Sequence, residues 1–131
     1  MDDKTKRTPD VLAAWPQLFV TDIVASCAWY ESRLGFAIAF LYGAPPFYGQ
    51  IARGQAKLNL RQLDAMPYQP DIREREQLLS AYVPVADVGE LFEEYRLAGA
   101  DFQQKLETKP WGAREFVVRD PDGNLLCFGS D

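Results

Sequence analysis

The chain has 131 residues, 47% of them apolar, and a formal net charge of −5, the size and composition of one domain with a true hydrophobic core. It contains no histidine, which removes the commonest transition-metal ligand, the usual general base near neutral pH, and any serine or cysteine catalysis that leans on one. Basic residues are scattered among acids, which argues against nucleic acid and favours cationic ligands, and two cysteines one hundred residues apart announce neither a disulfide framework nor a CxxC site.

In chain order, residues 1–10 (MDDKTKRTPD) read as a mobile polar arm without an apolar signal core. No unbroken apolar run approaches the about 20 residues that a membrane span needs, so a soluble, cytoplasmic chain without membrane contact is expected. Residues 11–20 form an extended segment in which Pro16 restricts the strand to an edge or a crossing. The spacing of Ile23, Cys27, Tyr30 and Leu34 predicts a helix over 22–34 with Asp22 as N-cap and Gly35 as its stop. On that face Cys27 is a core residue rather than a nucleophile. A short apolar strand at 36–42 is broken by Gly43-Ala44-Pro45-Pro46, and 47–52 can pair back on it. Arg53-Gly54-Gln55 makes the next turn and 57–60 the next strand. Residues 61–77, rich in proline and charge, hold neither period and read as a loop joining two halves, with at most a solvated helical turn at 72–77.

The second half repeats the plan. A displacement of 65 positions sets Val20, Asp22, Ile23 and Tyr30 on Val85, Asp87, Val88 and Tyr95. Residues 80–85 are a strand, and 88–97 a helix with Val88, Leu91, Phe92 and Tyr95 inward and Gly99 as its stop. At 115–119 a period of two puts Phe116 and Val118 on one face and Glu115, Val117 and Arg119 on the other. Asp120-Pro121-Asp122-Gly123 then offers a turn before Leu125-Leu126-Cys127-Phe128 resumes as a strand. The pattern predicts one domain over 1–131 with a β-α-β-β-β module used twice, at about 11–60 and 79–128, joined by 61–78. Trp111, between Pro110 and Gly112, is either a partly exposed ring on a loop or a cap on the core.

The run PWGAREFVVRDPDGN resembles the C-terminal motif of bleomycin resistance proteins, in the vicinal oxygen chelate (glyoxalase, bleomycin resistance, dioxygenase) superfamily. Val20-Thr21-Asp22-Ile23, Trp29-Tyr30 and Leu34-Gly35-Phe36 are similar to that family's first strand, helix and helix exit. The resemblance covers roughly residues 15–128. It implies an α+β fold in which the two modules form an eight-stranded, open, barrel-like mixed sheet around a cleft.

The superfamily's metal enzymes place ligands at positions that match Trp15, Ser80 and Cys127 here, with a further candidate at Asn59. Trp15 cannot ligate, Ser80 is a poor ligand and Cys127 alone makes no site, so no metal, cofactor or catalytic residue is expected. The bleomycin resistance branch implies instead a homodimer whose arms cross at a proline, matched by Pro16, and whose grooves hold a cationic glycopeptide antibiotic or another planar aromatic one. By the same resemblance Trp111 matches the stacking tryptophan and Phe40 and Phe47 match groove aromatics, with Tyr48 beside them. Core packing is the competing reading of Phe40 and Phe47. Two alternatives stay open: a binding module for another small metabolite, and a lyase or dioxygenase with an atypical metal site. Glu115 and Cys127 would be the first residues to suspect in such an enzyme, although a surface ion pair with a neighbouring arginine is the better account of Glu115.

Overall fold

The computed structural model describes residues 8–130, so residues 1–7 of the expected arm lie outside it. Eight strands divide into two four-stranded mixed sheets, and each sheet belongs to one half of the chain. In the first, β1 (Gln17–Val20), β2 (Ala37–Gly43), β3 (Pro46–Arg53) and β4 (Ala56–Gln62) lie in the order β1-β4-β3-β2. In the second, β5 (Ala81–Pro84), β6 (Asp101–Thr108), β7 (Arg114–Arg119) and β8 (Leu125–Ser130) follow the same scheme, β5-β8-β7-β6. The outer pairs β1·β4 and β5·β8 are parallel and the rest antiparallel.

Each crossover begins at a capping aspartate. Asp22 Oδ1 accepts from Ala25 N at 3.1 Å and Asp87 Oδ1 from Glu90 N at 3.0 Å, opening α1 (Ile23–Trp29) and α3 (Val88–Leu97). The expected helix over 22–34 is α-helical only to Trp29. It widens into a π-helical turn, Tyr30–Leu34, before Gly35 ends it at φ 72°.

Three further elements differ from the sequence reading. The linker carries a short helix α2 (Pro70–Arg75), with proline at its start. β6 follows α3 although its sequence, DFQQKLET, shows no apolar run. Of the segment 11–20 only Gln17–Val20 pairs as a strand, while Val11 and Leu12 are exposed.

One core unites both halves. Leu18, Ile51 and Leu60 from the first sheet, Tyr30 and Leu34 from its helix, and Phe116 and Phe128 from the second sheet belong to a single buried cluster. Two polar ties reinforce it, each built on a tyrosine of the repeat. Tyr95 Oη donates to Leu34 O at 2.8 Å, beside an exposed bidentate pair of Arg53 with Glu94. Tyr30 Oη donates to Asp120 Oδ2 at 2.7 Å, deep in the protein.

Asp120 is the hub of the DPDGN turn. Its Oδ1 accepts from Asp122 N and Asn124 N, and its Oδ2 also accepts from Asn124 Nδ2. Gly123, at φ 81°, closes the loop where a side chain would be strained. Asn124 Nδ2 also donates to Phe19 O and its Oδ1 accepts from Arg73 Nη2, while Asp122 accepts from Thr21 Oγ1. The turn thus fastens β1, the first helix and the linker to the second sheet. Burial pushes the Asp120 carboxyl above its usual value, against the pull of Asn124 and Tyr30.

Candidate ligand-binding faces

Register decides which side chains share the open face of the first sheet, because residues directly opposite across a ladder point the same way. Phe40 stands opposite Gln50, Gln50 opposite Asn59, and Asn59 opposite Gln17. The next row is Tyr42, Tyr48, Arg61 and Phe19. Leu18, Ile51, Leu58 and Leu60 alternate with these and form the core side.

On the open face the rings of Phe40 and Tyr48 lie 5.9 Å apart, tilted by 50°. Gln50 Nε2 donates to Asn59 Oδ1 at 2.9 Å immediately beside them. This is an aromatic shelf with a polar edge, suited to a flat ring carrying hydrogen-bonding substituents. Phe40 is 43% exposed and Phe47 49%, so neither serves the core. Phe47 packs edge-on against Tyr42, 5.7 Å away at the hairpin tip, and stands apart from the Phe40–Tyr48 pair.

The remaining nominated residues are dispersed. Trp111 lies in the second module, in the tight connection from β6 to β7, where Lys109 N donates to Ala113 O and Gly112 N to Lys109 O. Gly112, at φ 99°, supplies the left-handed corner. The indole is 71% exposed, which decides against the core cap, and it makes no ring contact among the described residues. Pro16 precedes β1, its carbonyl accepting from Asn59 N of the same chain at 2.9 Å.

The positions that match metal ligands do not converge as a donor set. The Lys57 ammonium sits over the Trp15 ring at 4.8 Å. Ser80 Oγ is 3.3 Å from Asn124 Oδ1. Cys127 lies on the open face of the second sheet, opposite Val117 and Tyr82. Burial, then the charge and hydrogen bond of Glu115, push its thiol up to about 12, which leaves it protonated and unreactive near neutral pH. Glu115 differs from its surface reading: only 8% exposed, it lies against Cys127 and makes no ion pair with an arginine among the described residues. Among the described residues no group of three or more His, Cys, Asp and Glu side chains is placed to hold a metal.

Sequence reasoning missed a cleft of about 650 Å³ where the two modules meet on the helix side, walled by Arg53, Glu94, Asp87 and Glu90 over a floor of Phe36 and Tyr95. Nothing in the residue pattern brings these positions together; only the module packing does. The sequence singles out Asn59 only as a metal position and Gln50 not at all, since their pairing exists only once β3 and β4 are in register.

Twinned β-α-β-β-β modules with an aromatic, hydrogen-bonding open face define a small-molecule-binding class of fold. The family model described as Glyoxalase/Bleomycin resistance protein/Dioxygenase superfamily matches residues 12–128, and the chain belongs to that superfamily. Among solved structures it is similar to TioX from Micromonospora sp. ML1, at 27% identity and a TM-score of 0.68 over 92% of this chain and 96% of that one. It is similar to the bleomycin-binding protein of bleomycin-producing Streptomyces verticillus, solved with copper(II)-bleomycin, at 26% identity and a TM-score of 0.72 over 95% and 99%. A bleomycin resistance determinant encoded on the transposon Tn5 shares the fold at 22% identity, with a TM-score of 0.74 over 92% and 98%. No curated protein matches the sequence.

Proposed function

We propose that this chain is a cytoplasmic, metal-independent binding protein that sequesters a planar aromatic antibiotic, bleomycin-like glycopeptides first among them, in the grooves of a homodimer. The observation that carries this reading is the open Phe40–Tyr48 shelf beside the Gln50–Asn59 amide pair. Each ring stacked on a heteroaromatic ligand contributes about 0.5–1.5 kcal/mol beyond area burial, and the net charge of −5 attracts a cationic one. The similarity to the bleomycin-binding protein of Streptomyces verticillus supports the ligand class.

The dimer supplies the other wall. β2 is exposed along its whole length on both faces, with Ile38, Phe40, Leu41 and Tyr42 among its side chains, a surface that calls for a cover. In this reading a second copy covers it, the arms cross at Pro16, and the Trp111 loop of one protomer closes the shelf of the other. Calorimetry with metal-free bleomycin in the presence of a chelator tests it: saturation near one ligand per protomer is expected. A flat titration with folded protein would remove bleomycin as the ligand.

The competing reading is an atypical metal-dependent lyase or dioxygenase built on Glu115 and Cys127, against which stand the raised Cys127 thiol and the lack of a third donor among the described residues. Stoichiometric metal surviving dialysis against chelator would support that enzyme and overturn sequestration without metal.

A further inference from the structure

The open face of the first sheet sorts its side chains by row. Across β2, β3, β4 and β1 one row reads Phe40, Gln50, Asn59 and Gln17, an aromatic ring followed by three carboxamides. The rows on either side bring Arg61 and Lys57, the latter held over the Trp15 ring, and neither row carries a carboxylate. Charge at this face is therefore positive, although the chain as a whole carries −5.

Gln50 Nε2 donates to Asn59 Oδ1 at 2.9 Å, and the bond leaves Gln50 Oε1 as an acceptor and Asn59 Nδ2 as a donor with no partner among the described residues. Gln50 is 7% exposed, yet no fully buried side-chain nitrogen or oxygen among those residues lacks a hydrogen bond, so both free groups are reachable from the open face. Turning both amides over exchanges the two roles and still leaves one donor beside one acceptor. On the second sheet the equivalent neighbours are Val117 and Cys127, so the fold itself does not require an amide couple at this place.

We infer that this couple selects the ligand by an uncharged donor–acceptor edge. The ligand is a planar heteroaromatic carboxamide or lactam, its ring on Phe40 and Tyr48, its N–H on Gln50 Oε1 and its carbonyl accepting from Asn59 Nδ2. Phe40, Gln50 and Asn59 stand on three successive strands, roughly 10 Å from first to last, which suits a bicyclic ring with the polar group at one end. An amidinium head would set a donor against the Asn59 donor, and a carboxylate would set an acceptor against the Gln50 acceptor. Each mismatch leaves a desolvated polar group unpaired, which costs more than a bond contributes. Lys57 and Arg61 add to the rejection of a cation. The assignment rests on the Phe40–Tyr48 shelf as the seat of the ring, and it puts the cationic part of a bleomycin-like ligand off this row.

Naphthamide, naphthamidine and naphthoate share one ring system and differ in the head, and NMR titration of the Gln50 and Asn59 side-chain amide signals follows all three. Wild type is expected to bind naphthamide about tenfold more tightly than either ion. Asn59→Asp keeps an acceptor for Gln50 Nε2 but exchanges the free donor for an acceptor, so naphthamide should lose its lead over naphthamidine. Should that variant fail to fold, Asn59→Ala, which deletes the donor without adding charge, should erase the same lead. Phe40→Ala should weaken all three probes alike and keep their order, because it removes the seat of the ring and leaves the amides. Equal binding of the three heads, an ion ahead of naphthamide, or an order unchanged by the Asn59 substitution would overturn the amide assignment and leave the shelf standing. Failure of every probe to bind would also overturn it, and the shelf falls with it only if bleomycin fails to bind as well.

Discussion

The two modules share a plan, yet their equivalent edge strands have opposite characters. β6 reads DFQQKLET and meets water with Asp101, Lys105 and Glu107, while Lys109 reaches back to Gln104 and Glu107. β2 reads AIAFLYG and is bare on both faces. Charge on an edge prevents pairing with another chain, and an apolar edge invites it. One duplicated module has kept its edge closed to partners while the other has kept its edge open to them.

Charging the open edge should break that difference most severely. Leu41→Lys on β2 is expected to turn a dimer into a monomer in light scattering at micromolar concentration, a loss of roughly 2–4 kcal/mol of association. Reversing a charge on β6, Lys105→Glu, should leave the mass unaltered. A monomeric wild type would remove the proposed function of β2.

The pseudo-equivalent tyrosines sharpen the comparison at the next level. Tyr30 donates to the buried Asp120 carboxylate, whereas Tyr95 donates to a neutral carbonyl, Leu34 O. Tyr30→Phe should cost about 2 kcal/mol in denaturant unfolding and Tyr95→Phe about 1, since bonds to charged groups are the stronger. Equal costs would contradict the reading of the DPDGN turn as the heavier of the two ties.

Acid unfolding gives a smaller contrast with opposite signs. Arg119 beside Glu74 and Arg53 beside Glu94 hold both carboxyls below the usual range. They contribute stability that is complete above the unfolded pKa and is lost as the pH falls through the folded one. Asp120 stands above its usual value, so the folded state holds its proton more tightly and acidification towards the unfolded value raises stability. Glu94→Gln should therefore soften the acid loss by under about 1 kcal/mol, because the pair is half exposed. Asp120→Asn should steepen the net loss by removing the opposing gain.

Much of this was legible in the sequence, because the fold's repeating parts have local signatures. The caps Asp22 and Asp87, the tyrosines 65 positions apart, and the DPDGN turn each follow from spacing and turn chemistry. What stayed hidden is set by packing between distant segments. β6 lacks an apolar alternation because polar side chains such as Gln104 and Lys109 bridge along its outer face. Arg73 sits in a charged run that reads as a solvated turn, and only Asn124 and Tyr68 reveal its burial. Phe40 and Tyr48 are nominated by resemblance, whereas the pairing of Gln50 with Asn59 beside them needs the register.

In the proposed site aromatic side chains from both modules close on one ligand. Intrinsic tryptophan fluorescence, titrated with metal-free bleomycin in chelator, tests it on wild type, Trp111→Ala and Phe40→Ala. Both residues are exposed, so neither change should alter the unfolding free energy by more than about 0.5 kcal/mol. Each is expected to weaken binding about tenfold or more, the size of a stacking contact together with its buried area. Saturable binding that survives both substitutions would contradict the account.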